Sequence, residues 1–202
     1  MEVDGDLKVT GTVESTTIDS LKMVIAQLQA QIEVRHGIKL FPESDIFIIP
    51  ENIYTIFVEI WGSGGGGNSN CNNTLLYRGG GGGAYIRASL QVNPADSLNL
   101  IVGPSVYYLQ DGISSKIYNG MNLLLTAEGG EVGACGATSS GGTGITHDES
   151  IVSIIKNGEG TNNNEGGLAF SGTIQEDSGY GRGSNGTSTS SPSGSGYIFI
   201  TY

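Results

Sequence analysis

Three glycines have the spacing of a dinucleotide-binding turn: Gly62, Gly64 and Gly67 read G-x-G-x-x-G. In such a turn the glycines follow a strand and open a helix, whose N-terminal N–H groups and dipole hold the pyrophosphate. Here an apolar run over residues 53–61 precedes the glycines, but the sequence NSNCNN at 68–73 follows them. Asparagine and serine favour turns over helices, so we predict that this turn binds no dinucleotide and that the protein has no cofactor.

The remaining side chains that could do chemistry are few and scattered. His147, one of two histidines, is followed by Asp148 and Glu149. Adjacent residues rarely converge on one metal ion, so an exposed polar turn is the favoured interpretation and no metal site is predicted. Cys71 and Cys135 lack the paired spacing of a zinc site, and they are either bridged or two unpaired thiols. Because no phosphate-binding loop or nucleophile elbow is present either, we predict that the protein is not an enzyme.

Composition narrows the class of protein further. The net charge of −11 excludes the basic surface that a nucleic-acid-binding protein needs. No apolar stretch reaches the roughly 20 residues of a membrane span, so membrane insertion is not expected. Glycine accounts for 34 of the 202 residues, all but three of them after Trp61, yet apolar residues still fall in short, well-defined runs. The glycine-rich region is therefore expected to fold.

Two segments precede the glycine-rich region. Residues 1–17 are predicted to form a short shaft segment, because apolar and polar residues alternate over 5–13 as in a strand. A capping-box-like start at residues 16–19 then opens a predicted helix over 18–37, which Gly37 ends. Its apolar residues follow a spacing of 3, 4, 3, 4 and are Ile18, Leu21, Ile25, Leu28 and Ile32. So narrow a stripe is typical of a coiled coil, and it predicts self-association through these five residues; packing of the helix on the domain's own sheet is the alternative.

Residues 38–202 have the pattern of an all-β head domain. Alternation over 85–92 places four apolar residues on one face and Tyr85, Arg87, Ser89 and Gln91 on the other. Glycine, asparagine and serine separate such runs, which predicts a mainly β fold with a jelly-roll-like β-sandwich head. The predicted strands cover residues 46–49, 53–61, 85–92, 98–102, 121–127, 151–155 and 197–202.

The glycine runs themselves have two physical uses. Without a Cβ, glycine segments can form extended, polyproline-II-like strands that pack very closely, or long loops anchored on a rigid sheet. We predict that residues 62–78 form a surface loop, which begins where the buried strand over 53–61 ends.

Several motifs of this head occur in a familiar order. An apolar strand enters a glycine run in FVEIWGSGGGG, a second run continues in GGGGGAYIRASLQV, and DSLNLIVG, DGISSKIY, LLLTAEGG, GYGRGSNG and GSGYIFITY follow. This order resembles the glycine-rich C-terminal domains of bacteriophage tail fibres and related virion receptor-binding proteins. The N-terminal VDGDLKVTGTVESTTIDSL is similar to the shaft segments of such fibres. The resemblance implies a trimer on the virion surface, with other virion proteins as partners of the stem.

The leading functional hypothesis is a fibre or spike with residues 1–37 as stem and 38–202 as head, which binds a host surface glycan or outer-membrane protein. Aromatic faces stack on sugars, while amides and guanidinium groups bond hydroxyls in pairs. The candidate receptor contacts in the longest loops are Asn70, Asn72, Tyr77, Arg78, Tyr107, Tyr108, Asn162, Asn163, Tyr180 and Arg182. For any one of them the alternative is a structural role, with a tyrosine in the core or an asparagine in a turn. Two other functions remain open: a purely structural virion component, such as an adaptor, plug or decoration protein, and a host-encoded secreted adhesin or lectin.

Overall fold

The structure, a computed structural model, describes residues 16–35, 37–68, 78–135, 137–161, 164–170, 179–185 and 192–202. The chain divides into two compact units, Met1–His36 and Gly37–Tyr202. The predicted strand over residues 5–13 lies outside the described residues.

The first unit contains the helix α1, Thr16–Arg35, at the position where the apolar stripe predicts a helix. Asp19 lies in its first turn, where a carboxylate interacts favourably with the helix dipole. The apolar stripe is exposed at each residue whose side chain is described: Ile18, Leu21, Ile25 and Leu28. The side chain of Ile32 is outside the described part, and coiled-coil association remains a prediction. In the part of the chain that the structure describes, no helix is long and apolar enough to span a membrane.

The described residues of the second unit contain ten strands. In chain order they are β1 Ile38–Phe41, β2 Asp45–Ile48, β3 Thr55–Trp61, β4 Tyr85–Gln91, β5 Ser97–Ile101, β6 Ser115–Asn119, β7 Asn122–Ala127, β8 Gly144–Thr146, β9 Val152–Lys156 and β10 Tyr197–Thr201. Sheet A has the order β1-β10-β3-β4-β9 and sheet B the order β2-β5-β6-β7-β8, and both are antiparallel. The sequential hairpins from β5 to β8 differ from the strand order of a jelly roll, which is built from two Greek keys.

One hydrophobic core is shared by the two sheets. The inward residues of β3 pair directly with those of β4: Ile56 with Leu90, Val58 with Ala88 and Ile60 with Ile86. They form a single buried cluster with residues of sheet B, which include Leu98, Leu100, Ile117 and Leu125. The prediction of a mainly β fold is thus confirmed. The alternation predicted for 85–92 is also observed: Tyr85 lies on the side of Arg87, where its hydroxyl bonds Glu59. It is nevertheless buried, because it packs with Trp61 and Tyr197 in a second cluster.

Beyond the ends of the strands, glycine-rich segments continue as a close-packed bundle. The run 79–84, which leads into β4, is buried along its whole length. Successive amides of this run donate hydrogen bonds to different neighbouring segments, and amides three residues apart donate to the same segment. A repeat of three residues is that of a polyproline II helix. The backbone hydrogen bonds, of 2.7–2.9 Å, run from Gly80 and Gly83 to Ser184 and Gly181, from Gly81 and Ala84 to Glu131 and Glu128, and from Gly82 to Glu159.

Glycine is required in this bundle because the segments touch backbone to backbone. A Cβ on Gly80 would meet the carbonyl oxygen of Gly65, and a Cβ on Gly83 would meet that of Gly62. The predicted surface loop over 62–78 is therefore wrong in its first part, since residues 62–67 are buried in the bundle. Residues 69–77 lie outside the described residues. Of the two uses of glycine considered above, close-packed extended segments are the one adopted by 62–67 and 79–84.

Candidate functional site

The two ends of the second unit differ in the length of their chain connections. At one end the connections are short and cover residues 49–54, 92–96, 120–121 and 147–151. The chain enters the unit at this end, where the amide of Gly37 donates to the carbonyl of Tyr202 at 2.8 Å. At the other end the strands continue into the glycine bundle, and the connections there, apart from the short one over 42–44 between β1 and β2, are long: 62–84, 102–114, 128–143 and 157–196.

The four long connections meet at the outer end of the bundle, which we call the tip. Its described residues are 68, 78, 107–111, 132–135, 137–139, 161, 164–165 and 185. Hydrogen bonds within and between these connections hold the tip together. They run between the backbones of Asn68 and Arg78 (2.7 Å), from Leu109 to Gly67 (3.1 Å), from Gly133 to Gly66 (2.9 Å), from Ser139 Oγ to Gly79 (2.9 Å), from Ser139 to Thr161 (2.8 Å) and from Gly166 to the side chain of Asn185 (2.8 Å).

Three of the predicted receptor contacts lie at the tip: Arg78, Tyr107 and Tyr108. The side chain of Tyr107 is 58% exposed, Tyr108 is half-buried, and neither tyrosine belongs to a core cluster. The carbonyl of Tyr107 lies against Gly66, so close packing of the bundle fixes the backbone below this exposed ring. An aromatic ring on a fixed backbone loses little conformational freedom when it binds a ligand.

Two other predicted contacts lie away from the tip. Tyr180 is half-buried and stacks on Tyr197, with ring centroids 4.1 Å apart. Arg182 is exposed along the side of the bundle, where its carbonyl accepts a hydrogen bond from the amide of Gly194 at 2.7 Å. The last five candidates fall outside the described residues: Asn70, Asn72, Tyr77, Asn162 and Asn163.

Leu109 is a tip residue that the sequence did not single out. Its side chain is exposed, and its φ of 60° lies in the left-handed region. That conformation is uncommon for a residue other than glycine and costs about 1 kcal/mol or more. Asn52 and Ala95, in the short connections at the opposite end, have the same conformation, so it does not by itself mark the tip. No local sequence signal identifies Leu109, because its conformation is imposed by the hydrogen bond of its amide to Gly67.

Two carboxylates, Asp111 at the tip and Glu131 just below it, accept hydrogen bonds from backbone amides. Asp111 Oδ1 accepts a hydrogen bond from the amide of Val132 at 2.8 Å, and Glu131 Oε2 accepts one from the amide of Ser140 at 2.9 Å. These bonds satisfy backbone donors in turns and fix the connection 128–143.

The connection 128–143 also contains a disulfide. Cys135 is disulfide-bonded, so the alternative of unpaired thiols is wrong for this residue. Asn68, in a different connection, donates from Nδ2 to Cys135 Sγ at 3.2 Å. Cys71, the other cysteine of the sequence, lies outside the described residues. A covalent link at this position restrains the tip.

Where the bundle meets sheet A, a buried carboxylate is neutralised by its neighbours. Glu59 is 3% exposed, accepts a hydrogen bond of 3.0 Å from the Tyr85 hydroxyl and lies 3.9 Å from Arg87 Nε. Burial, and after it the Glu59 carboxylate, raise the pKa of Tyr85, so the phenol stays protonated and donates. Trp61 completes this junction by donating from Nε1 to the carbonyl of Phe170 at 2.6 Å. The group is a packed structural network rather than a reactive site.

The polar triplet at 147–149 forms a turn at the short-connection end. His147 Nε2 lies 3.0 Å from Thr126 Oγ1. The carboxylate of Asp148 accepts hydrogen bonds from the hydroxyl and amide of Ser150, and these bonds lower the pKa of Asp148. Across the described ranges, no three His, Cys, Asp or Glu side chains are grouped as metal ligands.

The comparison with known families gives one match. A family model described as a glycine-rich domain matches residues 43–202. The matched span covers sheet B, the bundle and all of sheet A except β1, and it leaves out α1. No curated protein matches the chain. The glycine-rich part of the resemblance stated above is thereby confirmed.

Proposed function

The chain belongs to the glycine-rich domain family, and on that premise we propose that it is a structural virion protein, a fibre or spike, whose tip binds a receptor on the host cell surface. The observation that carries the proposal is the convergence of four long connections at one end of a bundle built by close backbone contact. Loops on a rigid scaffold can vary in sequence without loss of the fold. This is the property that a receptor-binding protein needs when its receptor varies.

The chemistry of the tip favours a bacterial surface glycan or an outer-membrane protein as the receptor. The exposed ring of Tyr107 and the exposed side chain of Leu109, two residues further along the chain, offer apolar contact, and the half-buried Arg78 adds a guanidinium group to the tip. The chain has a net charge of −11, so long-range attraction to anionic surfaces contributes little. Binding through stacking and hydrogen bonds would weaken little as the salt concentration rises, because dissolved salt screens mainly the interactions between charges that lie apart.

The stem supports the fibre part of the proposal. The exposed stripe of α1 has coiled-coil spacing, and a coil of under three heptads is not stable alone. Association of copies, with a trimer favoured, would bury this stripe and present several tips to one cell. Several weak contacts made together raise the avidity far above the affinity of one tip.

The proposal is tested by binding of the labelled full chain to a panel of intact bacteria, at low and high salt and with soluble surface polysaccharide as competitor. Tyr107→Ala should weaken binding about tenfold or more, which corresponds to about 1.4 kcal/mol for an aromatic interface residue. Tyr54→Ala is the matched control, because Tyr54 is 60% exposed at the end opposite to the tip. Equal loss in both variants would contradict a receptor site at the tip.

The alternatives give different outcomes in the same experiments. A protein that binds no cells but is detected by antibody on purified virus particles would be an adaptor, plug or decoration protein. Antibody staining of the surface of uninfected cells would instead identify a host-encoded adhesin or lectin.

A further inference from the structure

The outer face of sheet A is apolar where a sheet that faces water is expected to be polar. Five large apolar side chains point away from the shared core and are between 51% and 78% exposed. They are Ile38 and Leu40 on β1, Phe57 on β3, and Val152 and Ile154 on β9. We call these five residues the outer apolar face.

These residues form one surface rather than isolated spots. The strand register places them in two neighbouring rows that cross all five strands of sheet A. The rows are Ile38–Thr201–Phe57–Ser89–Val152 and Leu40–Phe199–Glu59–Arg87–Ile154. With strands about 4.8 Å apart, the surface is about 19 Å wide. Polar side chains lie between some of these residues, but Phe57, Val152 and Ile154 line one shallow pocket on this side of the sheet. Exposed apolar patches of this kind mark interaction sites.

The exposed charges on this side of sheet A are positive, whereas the net charge of the whole chain is negative. At the outward positions of its described strands, the one carboxylate, Glu59, is buried and paired. The exposed charges are those of Arg87 and Lys156. The chain as a whole carries a net charge of −11. An acidic protein surface is therefore the electrostatic complement of this face.

We propose that the outer apolar face is a subunit interface, buried against a second copy of this chain. The inference rests on the proposed self-association through α1. A second copy carries the same net charge of −11, and only two residues separate the end of α1 at Arg35 from the start of β1 at Ile38. Copies joined through α1 would hold their heads at high effective concentration, so even a modest apolar contact between heads would form. In a closed ring, this face would meet a different patch on the next copy.

Sheet B provides a matched comparison. Ile46 on β2 is 61% exposed, similar to Phe57, and it points away from the core. Its neighbour in register on β5 is Asn99, and it lies outside the outer apolar face. We expect the outer side of sheet B to stay in contact with solvent.

The test is photo-crosslinking of the full chain with p-benzoylphenylalanine in place of Phe57 or, in a second protein, in place of Ile46. Both positions are exposed, so neither replacement disturbs the core. Irradiation of mixed light and heavy isotope-labelled copies should give linked light–heavy pairs from position 57 and none from position 46. Links from 57 only within one chain, no links, or equal linkage from both positions would overturn the proposed interface.

A second measurement shows whether a negative result concerns only the interface or also the proposed self-association. It is the mass of the unirradiated full chain in solution, obtained by light scattering. A single-chain mass would overturn both the interface and the proposed self-association. A multimer without links from position 57 would overturn the interface alone and leave the stem association standing.

Discussion

At the scale of single residues, the glycine bundle contains positions that accept no side chain. A methyl group on Gly80 would meet the backbone of Gly65 rather than a movable side chain. Backbone yields only when a whole segment moves, which is why overpacking destabilises a close-packed structure. Gly120 is a glycine for another reason. Its φ of 59° suits the turn between β6 and β7, and an added Cβ would have nothing within 4 Å.

This difference gives a first prediction. Gly80→Ala should lower the free energy of unfolding by about 3 kcal/mol or more, because two backbone segments must separate. Gly120→Ala is the control and should cost about 1–2 kcal/mol through left-handed backbone strain alone. Urea denaturation of both variants beside the wild type measures the two losses. If Gly80→Ala costs no more than Gly120→Ala, the backbone contacts of the bundle are not as close as described.

Residue types alone predicted part of the tip. Arg78, Tyr107 and Tyr108 follow from the rule that aromatic and basic residues in long loops make contacts. Tyr180 satisfies the same rule, yet it stacks on Tyr197, where the bundle meets sheet A. The difference depends on the path of the chain through the bundle, which the local sequence does not contain.

At the scale of elements, short apolar runs predicted most of the strands, including the edge strands β2 and β9 that bury one residue or none. All seven predicted runs correspond to strands, from β2 to β10. Two of the three remaining strands, β1 and β8, lie at the edges of their sheets. Edge strands need few buried residues: β1 buries Phe41 alone, and β8 buries none. Backbone hydrogen bonds to a neighbouring strand hold β1 and β8 in place, and such bonds require no periodic pattern of apolar residues.

The glycine segments were the hardest element to predict, for a related reason. Their repeat of three is a repeat of hydrogen-bond partners, and a run of identical glycines shows no period. The sequence therefore allows close packing but does not determine whether a glycine run joins a bundle or forms a loop. In the second unit the partners are supplied by other connections, such as 128–131 and 181–184, which are far away in the chain.

The helix carries the prediction that belongs to this scale. Changing Ile25 and Leu28 together to Asp should shift the assembly toward the single chain of 20.9 kDa, because buried carboxylates in a coiled-coil seam lack partners. Met23→Asp is the control, since Met23 is exposed on α1 but lies off the stripe. Sedimentation over a dilution series measures the shift. An unchanged mass in the double variant would count against association through the stripe.

At the scale of the whole molecule, the second unit separates attachment from recognition. The chain enters beside Tyr202 at the end with short turns, and the four long connections meet at the opposite end. No linker divides the sandwich from the bundle: Gly62 directly follows Trp61 at the end of β3, and Ala84 directly precedes Tyr85 at the start of β4. Buried contacts around Trp61 continue across this boundary, because its indole donates to Phe170.

We therefore expect the sandwich and the bundle to unfold as one cooperative unit. Amides of the run 79–84 should exchange hydrogen with the same opening free energy as those of β3 and β5, within about 1 kcal/mol. Hydrogen exchange with peptide-level mass spectrometry, in small steps of urea, measures both, and α1 is left out because it belongs to the other unit. If amides of the bundle exchange at urea concentrations where those of β3 and β5 are still protected, the bundle unfolds separately and is less stable than the sandwich. Tip loops on a scaffold as stable as the core are organised before the receptor arrives, which lowers the entropic cost of binding.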